Sequence, residues 1–290
     1  MIVVDQPLVP TEQIRLVWRG IDHAEGLAVD DDGTVWCGGE EGQIYRGRLE
    51  GEPEVVATLP GAARTGGFAL DAEGNAYCAA ADETGVFRVT PSGRVDLVSA
   101  GARGRPAVLP NHPAFLPSGA LLYTDSGTWG EDDGCIYAVT PDGRTTVADT
   151  SASRFPNGLC VAPNGRTLVV VESSLPGLSV LTIENGSLRD RRVLLEMDGT
   201  VPDGVAFDER GRVLVACWAP DAIFVLEEDG RVATVAHDPL RYALHEPTNA
   251  AFVPGTATLV SASYGERFLS VLEHDCRGAL VPRPRFPWMP

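Results

Sequence analysis

The sequence predicts an all-β fold, a six-bladed β-propeller with four antiparallel strands in each blade. The main observation is a 15-residue pattern that recurs six times, starting at residues 25, 66, 111, 157, 203 and 248. Each copy has an apolar stretch, a turn that contains glycine or proline, and a second apolar stretch, which indicates a β-hairpin. In addition, no segment has the length and 3.6-residue periodicity of a helix. Repeats of about 45 residues built from short strands are typical of propeller blades.

Each hairpin is followed by two further strand-like segments, such as "GQIYRGRL" (42–49) and "EVVATLPG" (54–61) in the first repeat. The sixth repeat offers strands near 250–253, 258–263 and 267–273 but no evident fourth strand before "VPRPRFPWMP". The segment "QIRLVWRG" (13–20) resembles the fourth strands of the other blades. We therefore predict that it closes the last blade and covers otherwise open sheet edges. On this prediction, residues 1–290 form a single domain.

Composition limits the partners. The formal net charge of −17 argues against nucleic acid, whose phosphates require an excess of cations. All 23 cationic residues are arginine, which excludes an internal Schiff-base lysine. The six cysteines form no CxxC pair and are expected to be small buried hydrophobes in a reducing compartment.

No apolar run approaches the roughly 18 residues of a membrane span, and the N-terminus lacks the pattern of a signal peptide. We expect a cytoplasmic protein without a membrane partner, acting on a small-molecule substrate as a monomer or homodimer.

The residue before each innermost strand is predicted to face the mouth of the central channel. Four of these six positions carry a carboxylate or amide oxygen, and the full set is Glu25, Gly66, Asn111, Asn157, Asp203 and Thr248. Asn and Asp also suit turns, but Glu does not, and converging carboxylates repel each other unless a cation lies between them. Oxygen donors without cysteine suit a hard ion, Ca²⁺ first, with Mg²⁺, Mn²⁺ and Zn²⁺ as alternatives.

Five segments of the repeats carry a shared motif, and they are "AEGLAVDDDG" (24–33), "LPNHPAFLPSGALLYTDSGTWG" (109–130), "FPNGLCVAPNGRTLVVVES" (155–173), "VPDGVAFDERGRVLVACW" (201–218) and "EPTNAAFVPG" (246–255). Through these segments the chain resembles the SMP-30/gluconolactonase/LRE family of propeller lactonases, and the resemblance covers all six repeats. It implies one divalent metal held by Glu25, Asn157 and Asp203, with Asn111 completing the site or touching substrate. It also implies that the metal polarises the lactone carbonyl and that Asp203 acts as the base.

The chain departs from the sugar lactonases of this family at three positions. Leu109 replaces an arginine that binds sugar hydroxyls, His112 replaces an aspartate, and Trp129 aligns with a glutamate. We therefore expect a substrate more apolar than a sugar lactone, with Asn111, His112 and Trp129 as candidate contacts. His112 is also a candidate catalytic base, although a purely structural hydrogen bond is the alternative.

Other residues are less informative. Trp129 and Trp218 follow second strands and would either form a substrate wall or pack within a blade. Glu172 is expected to support the site rather than ligate the metal. Arg103, Arg105 and His245 are weaker candidates for the mouth.

The sequence thus predicts a metal-dependent lactonase or carboxylic-ester hydrolase. Two alternatives share the scaffold, a non-hydrolytic enzyme of the strictosidine-synthase type and a ligand-binding propeller with a structural metal. Serine-hydrolase chemistry is disfavoured because the sequence has no G-x-S-x-G motif.

Overall fold

The computed structural model describes residues 2, 4–81 and 85–288 and confirms the six-bladed β-propeller. Six four-stranded antiparallel sheets are each ordered along the chain, apart from the exchange in the last blade. Within the described ranges the helical elements are the two 3₁₀ turns Thr11–Gln13 and Pro60–Ala62, and no helix is long and apolar enough to cross a membrane.

The blades follow one another with short connections. Blade 1 contains the strands Leu27–Val29, Val35–Gly38, Gln43–Gly47 and Glu54–Thr58. Blade 2 contains Thr65–Leu70, Ala76–Ala80, Gly85–Val89 and Val95–Ser99. Blade 3 contains Pro110–Phe115, Leu121–Asp125, Cys135–Val139 and Thr145–Asp149. The small hairpin Gly101–Ala102 and Arg105–Pro106 lies between blades 2 and 3.

Blade 4 has the longest outer strands of the ring, and its strands are Pro156–Val161, Thr167–Glu172, Gly177–Glu184 and Ser187–Glu196. Blade 5 contains Val201–Phe207, Val213–Ala219, Ala222–Leu226 and Val232–His237. Blade 6 contains Ala250–Phe252, Thr258–Ala262 and Leu269–Glu273, with Arg15–Val17 as its outermost strand.

The predicted ring closure is confirmed. Arg15–Val17 pairs antiparallel with the strand Leu269–Glu273, with Arg15 opposite Val271 and Val17 opposite Leu269. The N-terminal strand therefore supplies the backbone partners that the strand Leu269–Glu273 would lack, and Arg15–Val17 itself becomes the outer edge of blade 6.

The core is divided among the blade interfaces. The residues that the structure describes form six apolar clusters, one between each pair of neighbouring blades. All six cysteines are free and buried, as expected, and Cys78 between blades 1 and 2 is representative, since burial raises the pKa of its thiol to about 12.

β-Bulges position the channel-mouth residues. In blades 2 to 5 the register between the first two strands shifts immediately around these residues, for example between Pro110 and Pro113 and between Pro156 and Leu159. A bulge leaves residues unpaired and bends the strand, which redirects their side chains. The bulge therefore turns Asn111 and Asn157 out of the sheet alternation and towards the axis.

The C-terminal segment crosses the opposite end of the channel, which we call the base. The amide of Ala279 donates to the carbonyl of Phe207 in blade 5. Farther on, Arg283 forms an ion pair with Asp30 at 2.9 Å below blade 1. Phe286 is buried, with its ring centroid 5.5 Å from that of Tyr77 in blade 2. This segment ties blades 5, 1 and 2 together across the base.

Candidate functional site

The six residues predicted at the channel mouth line one pocket, which we call the mouth pocket. Its volume is about 170 Å³, and its lining includes Glu25, Gly66, Asn111, Asn157, Asp203 and Thr248. The remaining lining residues come from the loops around the mouth and are Arg64, Ala81, Leu109, Pro110, Phe155, Trp218 and Tyr264. Six separate repeats thus contribute one residue each to a single site.

Asn157 is held with its amide oxygen directed away from the protein's own donors. The hydroxyl of Ser173 donates to the carbonyl of Pro202 at 2.6 Å, so its oxygen is left to accept from Asn157 Nδ2 at 3.2 Å. This arrangement fixes the orientation of the amide. Asn157 Oδ1 is buried and has no hydrogen-bond partner within the described part of the chain. A buried acceptor without a donor is costly, by roughly 1–3 kcal/mol, unless a ligand completes it.

Asp203 and Glu25 are the two carboxylates of the mouth pocket, and both are partly buried. Burial, and then the neighbouring charge of Glu25, raise the pKa of Asp203 well above its usual range, while the amide of Asn157 opposes this shift. A carboxylate whose ionisation is disfavoured by burial and by a second carboxylate indicates a site built for a positive charge.

The remaining mouth residues fix this arrangement. The hydroxyl of Thr248 donates to the carbonyl of Glu25 at 2.6 Å and so joins blade 6 to blade 1. Asn111 is buried, and a Cβ on Gly66 would lie 2.5 Å from the carbonyl oxygen of Asn111. Blade 2 therefore needs glycine at this position because blade 3 approaches so closely.

The donor set fits a hard divalent cation. Glu25, Asp203, Asn111 and Asn157 supply carboxylate and amide oxygens and no sulfur or nitrogen, which suits Ca²⁺. The unpartnered Oδ1 of Asn157 and the raised pKa of Asp203 both correspond to groups that a cation would satisfy. These four residues are therefore able to hold the metal that the sequence predicts.

The wall of the mouth pocket is apolar on the side of blades 3 to 5. Leu109, Phe155 and Trp218 line it, and Trp218 is 39% exposed. The segment before Asn111 is anchored by Asp125, whose carboxylate accepts from the amides of Val108 and Leu109 at 2.9 and 2.6 Å.

Glu172 supports the neighbouring loop, as expected. Its buried carboxylate accepts from the amide of Arg154 at 3.2 Å and from the guanidinium of Arg191 at 2.5 Å. Glu172 therefore holds the backbone next to Phe155 and does not line the mouth pocket.

The structure does not bring His112 to the mouth pocket. The side chain of His112 crosses the axis from blade 3 to blade 6, where Asn249 Nδ2 donates to His112 Nδ1 at 3.1 Å. Burial lowers the pKa of His112 to about 4, so the ring is neutral at neutral pH. His112 and Asn249 line a second cavity of about 120 Å³ on the base side, which we call the base cavity. In this arrangement the imidazole of His112 forms a structural hydrogen bond, which was the alternative to a role as catalytic base.

The other candidates lie outside the pocket lining. Trp129 is 56% exposed and contacts Phe155 edge-on with 4.9 Å between ring centroids, so it extends the apolar wall at the rim. Arg105 donates to the carbonyl of Asp133 at 2.7 Å, Arg103 is exposed, and His245 packs against Gly265.

Sequence reasoning missed Arg64 and Tyr264, which line the pocket. A signal for Arg64 was present, because it precedes the mouth residue of its blade by two positions, as Leu109 does in blade 3. It also missed a group of three potential ligands, Asp22, His23 and Glu40, whose ligand atoms lie within 4.8 Å of one another. Glu40 of this group accepts a hydrogen bond from Tyr264 of the pocket lining.

Comparison with known proteins identifies the family of the chain. The family model described as the SMP-30/gluconolactonase/LRE-like region matches residues 97–263, which is more than half of the chain. The chain belongs to the SMP-30/gluconolactonase/LRE-like family. This membership covers the blades that carry Asn111, Asn157 and Asp203.

Two relatives of this chain are named for an enzymatic activity. Diisopropyl-fluorophosphatase of Loligo vulgaris is 27% identical over 274 residues, which cover 84% of this chain and 86% of that protein. Gluconolactonase of Zymomonas mobilis is 27% identical over 187 residues, which cover 57% of this chain and 51% of that protein. Both relatives are hydrolases by name, and together with the family they support a propeller hydrolase.

Solved structures show the same fold. A gluconolactonase from Xanthomonas campestris has a TM-score of 0.76 at 21% identity and covers 90% of this chain and 89% of its own. A calcium-binding regucalcin from Agrobacterium tumefaciens has a TM-score of 0.75 at 22% identity and covers 93% of this chain and 96% of its own. At these identities the likeness concerns the fold.

Proposed function

We propose that this protein is a divalent-metal-dependent hydrolase that opens a lactone, and that Ca²⁺ is its metal. The observation that carries the proposal is the buried, unpartnered Oδ1 of Asn157 in the same pocket as the carboxylates of Glu25 and Asp203. The family, and the gluconolactonase and regucalcin named above, support the same assignment.

The metal would be held by Glu25, Asn111, Asn157 and Asp203, and when bound it would supply a Lewis acid that polarises the ester carbonyl. Asp203 is the base that takes the proton from the attacking water. The positive charge of the metal would keep Asp203 ionised, and so able to accept this proton, although burial and Glu25 raise its pKa when no cation is present. The fixed amide of Asn157 and the buried Asn111 hold their positions before substrate arrives, which avoids reorganisation during the reaction.

The substrate is proposed to carry an apolar part. Leu109, Phe155 and Trp218 contribute apolar side chains to the lining of the mouth pocket, and Trp129 packs against Phe155 at the rim. Such a wall favours alkyl or aromatic substituents over hydroxyl groups, because hydroxyls would lose hydrogen bonds to water without gaining partners.

A pH-stat screen of aliphatic, aromatic and sugar lactones with added Ca²⁺ tests the function. It includes a dialkyl fluorophosphate, because the squid relative is named for that activity. We expect hydrolysis of apolar lactones to exceed that of sugar lactones, and Asp203→Asn to lower kcat by about 100- to 10,000-fold. Glu25→Gln should weaken Ca²⁺ binding and lower kcat as well.

The control is Asp229→Asn, an equal charge change at an exposed residue that pairs with Arg231. Hydrolysis that survives both Asp203→Asn and Glu25→Gln would refute the mechanism. Ca²⁺ binding without hydrolysis of any ester in the screen would instead favour a ligand-binding propeller with a structural metal.

A further inference from the structure

Arg64 gives the mouth pocket a positive charge that lactone opening by itself does not require. Of the described residues that line this pocket, Arg64 alone is cationic. We propose that Arg64 binds a carboxylate of the substrate, so that the preferred lactone is an anionic one with an additional apolar part. This inference rests on the lactonase function proposed above and names its substrate class.

The repeat explains how Arg64 comes to face the pocket. Arg64, Leu109 and Phe155 each lie two residues before the mouth residue of their blade, and all three line the pocket. The same backbone position thus builds the wall in blades 2, 3 and 4. It presents a guanidinium in blade 2 and apolar side chains in the next two blades, and Trp218 continues the apolar side in blade 5. The pocket is therefore divided into a cationic side and an apolar side.

The backbone of Arg64 is fixed by its neighbours. The amide of Ala81 donates to the carbonyl of Arg64 at 3.0 Å, and the amide of Thr65 donates to the carbonyl of Gly39 at 3.2 Å. These bonds join the start of blade 2 to its own second strand and to blade 1. Arg64 therefore emerges from a rigid segment rather than from a free loop.

The guanidinium is oriented from two other blades. Arg64 Nη1 donates to the hydroxyl of Tyr264 in blade 6 at 3.4 Å, and that hydroxyl donates to Glu40 Oε1 in blade 1 at 2.7 Å. The second oxygen of Glu40 lies 3.3 Å from His23 Nδ1. Side chains from blades 6 and 1 thus hold the guanidinium before a ligand binds, which lowers the entropic cost of binding.

The neighbours of Arg64 in the pocket are small. Blade 2 contributes Gly66 at the mouth position, where blades 1, 3, 4 and 5 contribute carboxylates or amides, and Ala81 lies beside it. The close carbonyl of Asn111 forbids a larger side chain at position 66. Blade 2 therefore adds no oxygen of its own at the mouth, and this sector remains open to a ligand group.

A carboxylate is the chemical group that best matches the cationic side of the mouth pocket. The planar guanidinium donates two parallel hydrogen bonds to a carboxylate, and charge-assisted bonds are about twice as strong as neutral ones. A carboxamide of the same shape cannot accept both bonds. Recognition by Arg64 therefore predicts a carboxylate preference of about 10- to 100-fold over the carboxamide.

The test compares γ-carboxy-γ-butyrolactone with its primary carboxamide, in the presence of Ca²⁺. We expect the ratio of their kcat/KM values to favour the carboxylate in the wild type and to fall towards one in Arg64→Met. Arg64→Lys, which keeps the charge but loses the planar fork, should give an intermediate ratio. The control is Arg103→Met, the same charge change at an exposed arginine outside the pocket lining, which should leave the ratio unchanged.

A binding experiment tests this inference independently of the lactonase function. Pyroglutamate and pyroglutamamide are the corresponding lactams, and their affinities are measured by calorimetry on the same variants. If no lactone is hydrolysed, the lactonase proposal fails, and the lactam affinities alone decide the role of Arg64. A carboxylate preference that is lost in Arg64→Met supports the inference. No preference in the wild type, or an equal preference in Arg64→Met, overturns it.

Discussion

The two ends of the central channel are built from the same six strands and differ in how well their polar groups are satisfied. At the mouth, Asn157 Oδ1 is buried without a hydrogen-bond partner in the described ranges, and the pKa of Asp203 is raised by burial and by Glu25. Between the mouth and base cavities, Asn249 and His112 satisfy each other at 3.1 Å. At the base, the inner strands contribute mostly apolar residues to the base cavity, and the C-terminal segment crosses it.

The difference between mouth and base indicates that ligand binding and folding stability depend on different residues of the same repeat. In four of the six repeats the first residue supplies the mouth pocket with a carboxylate or amide oxygen, whereas the residues a few positions later bury apolar surface. In blade 4, for instance, Asn157 lines the mouth pocket and Leu159 lines the base cavity. Substitutions at the mouth should therefore change ligand binding more than folding, and substitutions at the base should do the reverse.

The largest stability effect is expected at the base, for Phe286→Ala. Phe286 is 2% exposed, and its ring centroid lies 5.5 Å from that of Tyr77 and 5.4 Å from that of Phe115. Its loss leaves a cavity under the C-terminal segment, and we expect the free energy of unfolding in urea to fall by about 4 kcal/mol. The kcat/KM of the folded variant should not change.

The matched control is Leu280→Ala in the same segment, where the side chain is 81% exposed. Its effect on stability should stay within about 0.5 kcal/mol. A loss of activity in folded Phe286→Ala would show that the base and the mouth are coupled, and the separation of roles would then be wrong.

The second prediction compares two buried amides, Asn157 and Asn249. Asn157→Leu removes an oxygen that has no hydrogen-bond partner among the described residues, together with the bond from Nδ2 to Ser173, so stability without metal should fall by no more than about 1 kcal/mol. The rise of melting temperature on adding Ca²⁺ should be largely lost, since the affinity falls by at least about 10- to 100-fold. Asn249→Leu leaves His112 Nδ1 buried without its donor. It should cost about 1–3 kcal/mol of stability and keep the Ca²⁺ response.

The two amides would be equivalent if both variants lost stability equally and both kept the Ca²⁺ response. That outcome would remove the argument that Asn157 is a metal ligand. Calcium-dependent melting curves of the two variants and the wild type, measured after chelation and after readdition of the ion, decide between the possibilities.

The fold could be predicted from sequence because the repeat carries it. The hairpin pattern and its spacing are local signals, and the missing fourth strand of blade 6 indicated closure by Arg15–Val17. The direction of side chains at the mouth was harder, because it depends on β-bulges. His112 directly follows Asn111, yet the bulge sends it across the axis to Asn249, below the mouth pocket.

The residues of the pocket wall were also only partly predictable from the sequence. Leu109 was recognised because it interrupts a family motif, whereas Arg64 occupies the same position one blade earlier, where no motif drew attention to it. The contact of Arg64 with Tyr264 joins residues 200 positions apart, and no local pattern indicates such a pairing. Long-range contacts between loops of different blades therefore needed the structure.

The smallest predicted effect concerns a fully satisfied ionic network at the base. Arg212 is buried, and its guanidinium donates to Asp208 at 2.6 Å, to Glu227 at 3.1 Å and to Asp275. The hydrogen bond from Arg212 lowers the pKa of Asp275 below its usual value, in spite of partial burial, and the charges of His274 and Arg212 act in the same direction. The ionised form of Asp275 therefore stabilises the folded protein.

Because the pKa of Asp275 is lowered on folding, its contribution is fully present above the unfolded value of about 3.9. It is lost as the pH falls through the lower folded value.

The side chain of Asp275 is 49% exposed, so water screens the interaction and its contribution at neutral pH should be about 0.5–1 kcal/mol. Asp275→Asn should thus lower stability by this amount at pH 7, and urea unfolding at a series of pH values should show the difference from wild type shrinking once the pH falls below the unfolded value of about 3.9. Glu228→Gln, at an exposed residue of blade 5, should show no such pH-dependent difference. If Asp275→Asn had the same effect at pH 3 as at pH 7, its role would be packing rather than charge, and the base would owe its stability to apolar contacts alone.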